Sequence, residues 1–370
     1  MPPPIASEAV YPLIAEELGK AGTGAGRAKF LAEAALVVRT AASIDRVPDA
    51  GLEAALTAIE RELHSFRHMA LGDNSLRKAD LVYPYAALSG LIRPSPFYEC
   101  RLDDFARTGN RDPDRPAYRA CEDQFILYMA GRAKLPALCD GHWAGFVSRV
   151  YDFNVEHCYW FTHRYLFASD MGAVETGLDW VAPAMLLVAA KAVRWDNVDL
   201  FFEAAFCALS SGALPEWVAA IDAWSERLLP RLLEQASGAS RDVYHELFLY
   251  RLFRMRRDSL SVPPGPADHE SAQAVVGLLD ALASKSPQRI AETYLAARPV
   301  CRHRLFAEAC LAKLDWLEGL ARAGTLFDNE AMRSAARPAP DLYDNYLEML
   351  GEAVEAIRRP GPGAEQACAA

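Results

Sequence analysis

The spacing of apolar residues is the feature that most limits how this chain can fold. Nearly every segment between Gly, Pro, Asn and Asp residues repeats apolar side chains at i, i+3, i+4 and i+7, as in "FFEAAFCALSSG" and "PEWVAAIDAWSERLL". That period belongs to amphipathic helices, whereas half-buried strands alternate apolar and polar residues. Because no alternating run rich in β-branched residues is present, the sequence predicts an all-α protein.

The number of helical segments narrows the architecture further. Roughly fourteen segments, most of them about 12–20 residues long and joined by short turns, predict stacked antiparallel helical hairpins. A closed α/α toroid and an irregular multi-helix bundle both accommodate this number. No repeat period is visible in the residues, so both arrangements stay open.

Turn-forming residues suggest how the chain is divided. The densest group, "SVPPGPADHES", places a boundary near residues 261–268. We therefore expect a main helical domain over residues 1–260, with a central helix at 146–168. Residues 269–358 should form C-terminal helices that pack on it within the same fold. The end, "RPGPGAEQACAA" at residues 359–370, should be a disordered tail.

Composition excludes several kinds of partner and compartment. The chain has 39 Lys and Arg against 49 Asp and Glu, a formal charge of -10 that would repel a phosphate backbone, so nucleic acid is not an expected partner. The longest apolar run, "WVAPAMLLVAA", is shorter than the ~18–20 residues that span a bilayer, so we expect no membrane association. The start has no signal-peptide pattern, which predicts a cytoplasmic protein. Eight cysteines without C-x-x-C spacing indicate reduced thiols.

A stripe of ionisable residues on the predicted central helix is the main candidate site. If residues 146–168 are helical, a step of 100° per residue places five ionisable side chains within a sector of about 60°. They are Arg149, Asp152, Glu156, His163 and Asp170. Trp160 and Phe167 flank the sector, and the rest of the helix is apolar, so the stripe should be buried or line a cavity.

Buried charges cost several kcal/mol unless they are paired, so such a stripe needs a partner or a use. An imidazole beside a carboxylate suits general acid–base chemistry near neutral pH. We therefore interpret His163 as the general acid or base, Asp170 as its orienting carboxylate and Glu156 as a second acid. Arg149 would bind an anionic substrate group.

The remaining substrate-binding candidates are Asp152 on the stripe and the aromatic walls Trp160, Phe167, Tyr83 and Tyr85. Structural alternatives stay open for the stripe. Its charges can form ion pairs to neighbouring helices, and Asp170 can cap a following helix.

Metal sites are a weaker possibility. Cys139 and His142 in "CDGHW", with His157 and Cys158, have the residue types of zinc ligands but no established spacing. Glu60, His64 and His68 share one helix face, but no second helix offers a matching Glu-x-x-His. We expect no cofactor, with zinc or iron as the alternative.

Three segments within residues 76–172 resemble an uncharacterised all-helical bacterial family that is associated with natural-product biosynthesis. They are "LRKADLVYPYAALSGLIRPSPFYECRL", "PAYRACEDQFIL" and "EHCYWFTHRYLFASDMG". The likeness rests on a helix ending at Pro84, on Tyr118-Arg119-x-x-Glu122, on Thr162-His163 and on Ser169-Asp170-x-Gly172. The aromatic pair before Thr162 departs from the pattern. The resemblance implies a role in secondary metabolism but no particular reaction.

These observations favour a cytoplasmic tailoring enzyme of secondary metabolism, of the cyclase, lyase or isomerase type. It would act on a small or peptide-derived intermediate in a helix-lined cavity, as a monomer or a homo-oligomer. One alternative is a non-catalytic helical protein that binds a natural product or a partner peptide. Another is a metal-dependent biosynthetic enzyme.

Overall fold

The computed structural model describes residues 14, 18, 25–44, 50–70, 76–109, 117–138, 145–146, 150–237, 244–260, 267–323, 325–326 and 340–359. Helix accounts for 79% of these residues, and they include no strand, so the all-α prediction is confirmed. The choice between a toroid and an irregular bundle stays a prediction.

Fourteen α-helices lie within the described residues. In chain order they are α1 (Ala25–Ile44), α2 (Ala50–Ala70), α3 (Lys78–Ala87), α4 (Pro96–Thr108), α5 (Ala117–Met129), α6 (Val155–Ala168), α7 (Val181–Arg194), α8 (Val198–Ser210), α9 (Pro215–Ser237), α10 (Tyr244–Ser259), α11 (His269–Leu282), α12 (Pro287–Ala297), α13 (Arg304–Arg322) and α14 (Pro340–Arg358). A 3₁₀ turn (Val150–Asp152) precedes α6.

The centre of the fold is the hairpin of α7 and α8. Every residue of α8 except the half-buried Asp199 is buried, and so is every residue of α7 before Arg194. A helix that is apolar on all sides has no face to offer to water, so other helices must cover it. Asn197 joins the two helices and begins α8, because its side chain accepts a hydrogen bond from the backbone N–H of Leu200 (3.0 Å).

Six helices pack as successive neighbours around one cavity. α1 packs against α3, α3 against α5, α5 against α6, α6 against α8, α8 against α10, and α10 packs back against α1. The C-terminal helices extend the fold on the other side of the hairpin, since α11 packs on α7 and α9, and α13 packs on α7. That they belong to the same fold as the main domain stays a prediction.

The predicted central helix of residues 146–168 is too long. Helix α6 begins at Val155, because the Asn154 side chain accepts a hydrogen bond from the N–H of His157 (2.9 Å) and ends the preceding turn. Asp152 therefore belongs to the separate 3₁₀ turn. Pro84 also differs from the expectation, because it lies inside α3 and not at its end.

No helix within the described ranges has both the length and the apolar character needed to cross a bilayer. Of the predicted tail at residues 359–370, only Arg359 is described, and the rest lies outside those ranges.

Candidate functional site

The cavity inside the six-helix ring has a volume of about 510 Å³. This is within the usual range for a small-molecule site. Its polar side chains gather on α1, α6, α8 and α10, whereas two ion pairs on α3 and α5 lie along its other wall. The apolar lining consists of Ala28, Ala32, Leu36, Val37, Leu166, Phe167, Met171, Phe248, Leu249 and Leu252, with the ring of Tyr83.

Two acids on α8 place carboxyl groups on the wall of the cavity. Asp199 and Glu203 are four residues apart, so one helical turn places both carboxyl groups on the cavity side. Glu203 retains only 2% of its side-chain surface. An acid at this depth must be neutral or must have a counter-charge, because an isolated buried carboxylate is very costly.

His245 of α10 lies between two carboxylates and holds three helices together. Its Nδ1 is 3.1 Å from Glu33 Oε2 of α1, and its Nε2 is 3.0 Å from Asp199 Oδ1 of α8. Burial alone would lower the pKa of His245, but the hydrogen bonds to Asp199 and Glu33 outweigh it and raise the pKa to about 11. His245 is therefore a cation at neutral pH, with Tyr159 donating a further hydrogen bond to Asp199.

His163 of α6 lies next to Glu203 of the neighbouring helix α8. The distance from His163 Nε2 to Glu203 Oε1 is 3.2 Å. Burial lowers the pKa of His163 to about 4, and the positive charge of Arg119 adds to this effect. Burial also raises the pKa of Glu203 to about 8, helped by the neighbouring Asp199 carboxylate. At neutral pH both groups are therefore mostly uncharged, with a carboxylic acid facing an imidazole.

The wall opposite carries paired charges. Arg77, the residue before α3, and Asp80 of α3 form an ion pair of 2.6 Å, and Arg119 and Glu122 of α5 form one of 2.8 Å. The two residues of each pair are three positions apart, the spacing at which side chains are neighbours. Their charges balance locally.

Three of the predicted site residues line this cavity. His163 keeps 35% of its side-chain surface there, and its ring stacks on Phe167 with centroids 5.9 Å apart. Tyr83 is buried and forms part of the wall, and burial raises its pKa well above 10.0. His163 therefore lies on the wall of the main cavity, while its catalytic role stays a prediction.

The predicted pairing of Asp170 with His163 is wrong. Asp170 lies beyond the end of α6 with a φ of 47°, so the helical spacing that suggested the pair does not extend to it. Its carboxylate binds Arg39 (2.9 Å) and accepts a hydrogen bond from Tyr128 (3.2 Å). It lines a second cavity of about 310 Å³, and it does not cap a helix, because α7 begins only at Val181.

Four other predicted residues lie away from the main cavity. Glu156 and Asp152 are exposed to solvent. Trp160 is half-buried, with the guanidinium of Arg164 4.8 Å from its ring centroid. Tyr85 is buried on α3, where its hydroxyl donates to Glu99 (2.6 Å). Arg149 lies outside the described residues.

The sequence-based metal candidates do not form a cluster in the described part of the chain. No three His, Cys, Asp or Glu residues are arranged there to hold a metal ion. Glu60 and His64 are on an exposed face of α2. Cys139 and His142 lie outside the described residues, as does the side chain of His68.

The sequence reasoning missed the acids and the histidine that complete the site, namely Glu33, Asp199, Glu203 and His245. One available signal was the pair of acids four residues apart inside α8, otherwise the most apolar of the long segments. Another was the His245-Glu246 dipeptide in the helical segment that forms α10.

Comparison with known proteins gives a family but no activity. Neither the curated proteins nor the solved structures include a significant match to this chain. A family model described as "Domain of unknown function (DUF6895)" matches residues 16–228, more than half of the 370 residues. The match contains five of the six helices around the cavity and ends before α10. The chain therefore belongs to the DUF6895 family.

Proposed function

We propose that this protein is an enzyme that transfers a proton on a small, mostly apolar molecule bound inside the six-helix ring. The observation that carries the proposal is the contact between His163 and Glu203, 3.2 Å apart, on the wall of a cavity of about 510 Å³. Acid–base catalysis needs an ionisable group within hydrogen-bond reach of the substrate and with a pKa near the working pH.

The pKa of Glu203, about 8, supports this role. At neutral pH the carboxylic acid can protonate a substrate, and above its pKa the carboxylate can remove a proton. A neutral imidazole either accepts or donates a hydrogen bond, so His163 can orient Glu203 in both states.

The neighbouring triad of Glu33, His245 and Asp199 would fix the geometry of the pair formed by His163 and Glu203. His245 holds Glu33 and Asp199 in place, and Asp199 lies one helical turn before Glu203. Catalytic groups act best when surrounding hydrogen bonds fix them in advance. The triad would therefore keep α8 and its acid at a constant distance from α6.

A setting in natural-product biosynthesis is part of the proposal. It rests on the sequence resemblance within residues 76–172. The same cavity in a protein without catalysis would serve as a binding site for a small molecule, and this is the second candidate. Its support is the apolar lining, which favours binding whether or not chemistry follows.

Proton removal from 5-nitrobenzisoxazole tests the proposal with a defined, uncharged probe. A base takes the ring C–H proton, the N–O bond breaks, and the electron pair leaves on oxygen as a coloured phenolate. At about pH 8.5, where Glu203 is largely ionised, we expect the wild type to catalyse this opening. Glu203→Gln should reduce the rate by about 100-fold or more, the usual contribution of a general base.

Glu156→Gln is the matched control, because Glu156 is exposed on α6 and does not line the main cavity, so it should not affect the rate. Equal rates for the wild type and Glu203→Gln would contradict the enzyme proposal. Binding of the probe without Glu203-dependent turnover would favour the binding protein.

A further inference from the structure

The charges around the main cavity balance with one exception. Five carboxyl groups line it: those of Glu33, Asp80, Glu122, Asp199 and Glu203. Four of them lie within 4 Å of a cation. Glu33 meets Lys29 and His245, Asp80 meets Arg77, Glu122 meets Arg119, and Asp199 meets His245.

Glu203 is the exception. Among the described residues, no lysine or arginine lies within salt-bridge distance of its carboxyl group, and the histidine at that distance is His163. Because the pKa of His163 is about 4, that ring supplies no positive charge at neutral pH. Glu203 is also the most deeply buried of the five acids, so bulk water cannot solvate a negative charge on its carboxyl group.

The surroundings of Glu203 would suit a cation. The neutral His163 ring beside it brings no competing positive charge and can donate an Nε2–H hydrogen bond to the ionised carboxylate. The aromatic rings of Tyr83, Phe167 and Phe248 line the same cavity, and aromatic faces attract ammonium groups. The remaining lining is aliphatic and fits an apolar skeleton.

We propose that the cavity takes a small molecule with a single protonated amine on an otherwise apolar skeleton, and that Glu203 is the counter-ion of this amine. The ammonium group would donate a hydrogen bond to Glu203, while His163 Nε2–H holds the same carboxylate from the other side. The inference deepens the proposed function, because it names the ligand class of the same cavity. It does not require that the bound amine react.

Binding of an amine should depend on pH through Glu203. Its pKa is about 8, so at neutral pH it must lose a proton before it can pair with the ammonium. An aliphatic amine stays protonated to about pH 10. Affinity should therefore rise about tenfold per pH unit up to about pH 8 and then level off. The ionisable groups around Glu203 are Glu33 of α1, His163 of α6, Asp199 and Cys207 of α8, and His245 of α10.

Titration calorimetry with two matched probes tests this inference. The probes are 2-phenylethylamine and 2-phenylethanol, which share a skeleton and differ in the charged group. At about pH 7.5 the amine should bind the wild-type protein at least ten times more tightly than the alcohol. Repeating the titration in buffers with different ionisation enthalpies should show release of most of one proton per amine bound.

Glu203→Gln should lose the preference for the amine, whereas Glu156→Gln should keep it, since Glu156 is exposed and does not line the main cavity. Gln mimics the protonated acid, so the variant should fold, which circular dichroism checks. If it does not, the pH dependence of the wild type decides the question alone. Equal binding of both probes, no binding of either, or an amine preference kept by Glu203→Gln would overturn the inference. The uncharged benzisoxazole assay tests proton transfer separately, so each proposal can fail alone.

Discussion

At the scale of single residues, this protein combines two opposite ways of burying ionisable groups. His245 is kept charged by a carboxylate on each side, 3.1 and 3.0 Å away. Glu203 and His163 are both kept neutral by burial, with pKa values of about 8 and about 4. When environments push the pKa values of neighbouring groups apart, each can take a distinct role in proton transfer.

The first prediction concerns the pH dependence of stability. Above pH 4.5 an unfolded chain loses the proton of Glu203, whereas the folded protein keeps it until about pH 8. The unfolded state therefore binds fewer protons in this window, so the free energy of unfolding falls as pH rises through it. The Glu203→Gln variant should not show this fall in the free energy of unfolding, because an amide does not ionise. Between pH 5 and 8.5, the variant should gain on the order of a few kcal/mol relative to the wild type.

Urea unfolding of both proteins at the two pH values measures this difference. Glu156→Gln is the control, because Glu156 is exposed on the same helix as His163 and should follow the wild type. A constant difference between Glu203→Gln and the wild type across this range would show that Glu203 ionises normally.

At the scale of elements, the turn after α6 stands out for its backbone conformation. Asp170, Met171 and Gly172 have φ values of 47°, 55° and 80° in succession. Non-glycine residues in this region cost about 1 kcal/mol or more, so surrounding contacts must hold them there. Arg39 and Tyr128 bind Asp170 from α1 and α5, while Met171 lines the main cavity. The turn thereby joins the walls of both cavities.

The second prediction compares two glycines of this conformation. A Cβ on Gly172 would lie 2.6 Å from Ser210 Oγ and 2.8 Å from Ser210 Cβ, whereas a Cβ on Gly90 (φ 84°) meets nothing within 4 Å. Gly90→Ala should cost about 1 kcal/mol from backbone strain alone, and Gly172→Ala should cost about 2–4 kcal/mol because overpacking adds to it. Chemical unfolding of both variants gives the two values.

Adding Ser210→Gly to Gly172→Ala should recover part of the loss by removing the overlapping atoms. Equal costs for the two single variants would mean that the α6–α8 contact at this turn is looser than the structure indicates.

The sequence predicted elements more reliably than it predicted contacts between them. The apolar period of α6 placed His163 correctly on a cavity wall, because that period depends only on local geometry. The partner of His163 is Glu203, 40 positions later, and helix packing brings them together. Asp170 was the wrong partner because α6 ends at Ala168, and Asp170 itself has a left-handed backbone conformation outside the helix. The sequence also predicted that this helix begins at residue 146, whereas it begins after Asn154, whose side chain caps its first turn.

At the scale of the whole molecule, the described helices on either side of residues 261–266 depend on one another. The indole N–H of Trp217 in α9 donates to the carbonyl oxygen of Val300 (2.9 Å), and the N–H of Asp268 donates to the carbonyl oxygen of Ala219 (3.2 Å). The family match ends at residue 228, but α10 supplies His245 and part of the cavity lining. The site therefore needs chain beyond the matched region.

The third prediction concerns truncation. A chain that ends at residue 260 would expose the faces of α7 and α9 that α11 and α13 cover. Removing this apolar cover should abolish cooperative thermal unfolding, because each exposed apolar side chain forfeits roughly 1.5–3 kcal/mol. Circular dichroism melting and dye binding to exposed apolar surface measure the effect. A chain that ends at residue 359 is the control, and cooperative unfolding of the shorter chain would instead support an independent domain over residues 1–260.

The most direct test of proton transfer at Glu203 is the pH dependence of 5-nitrobenzisoxazole opening from about pH 6 to 9. The carboxylate is the active form, so the rate of the wild type should rise with pH and level off near pH 8, the pKa of Glu203. Glu203→Gln should show no such inflection and a rate lower by about 100-fold at high pH. A wild-type profile without an inflection near pH 8, or one that Glu203→Gln reproduces, would contradict the assignment of this acid as the catalytic group.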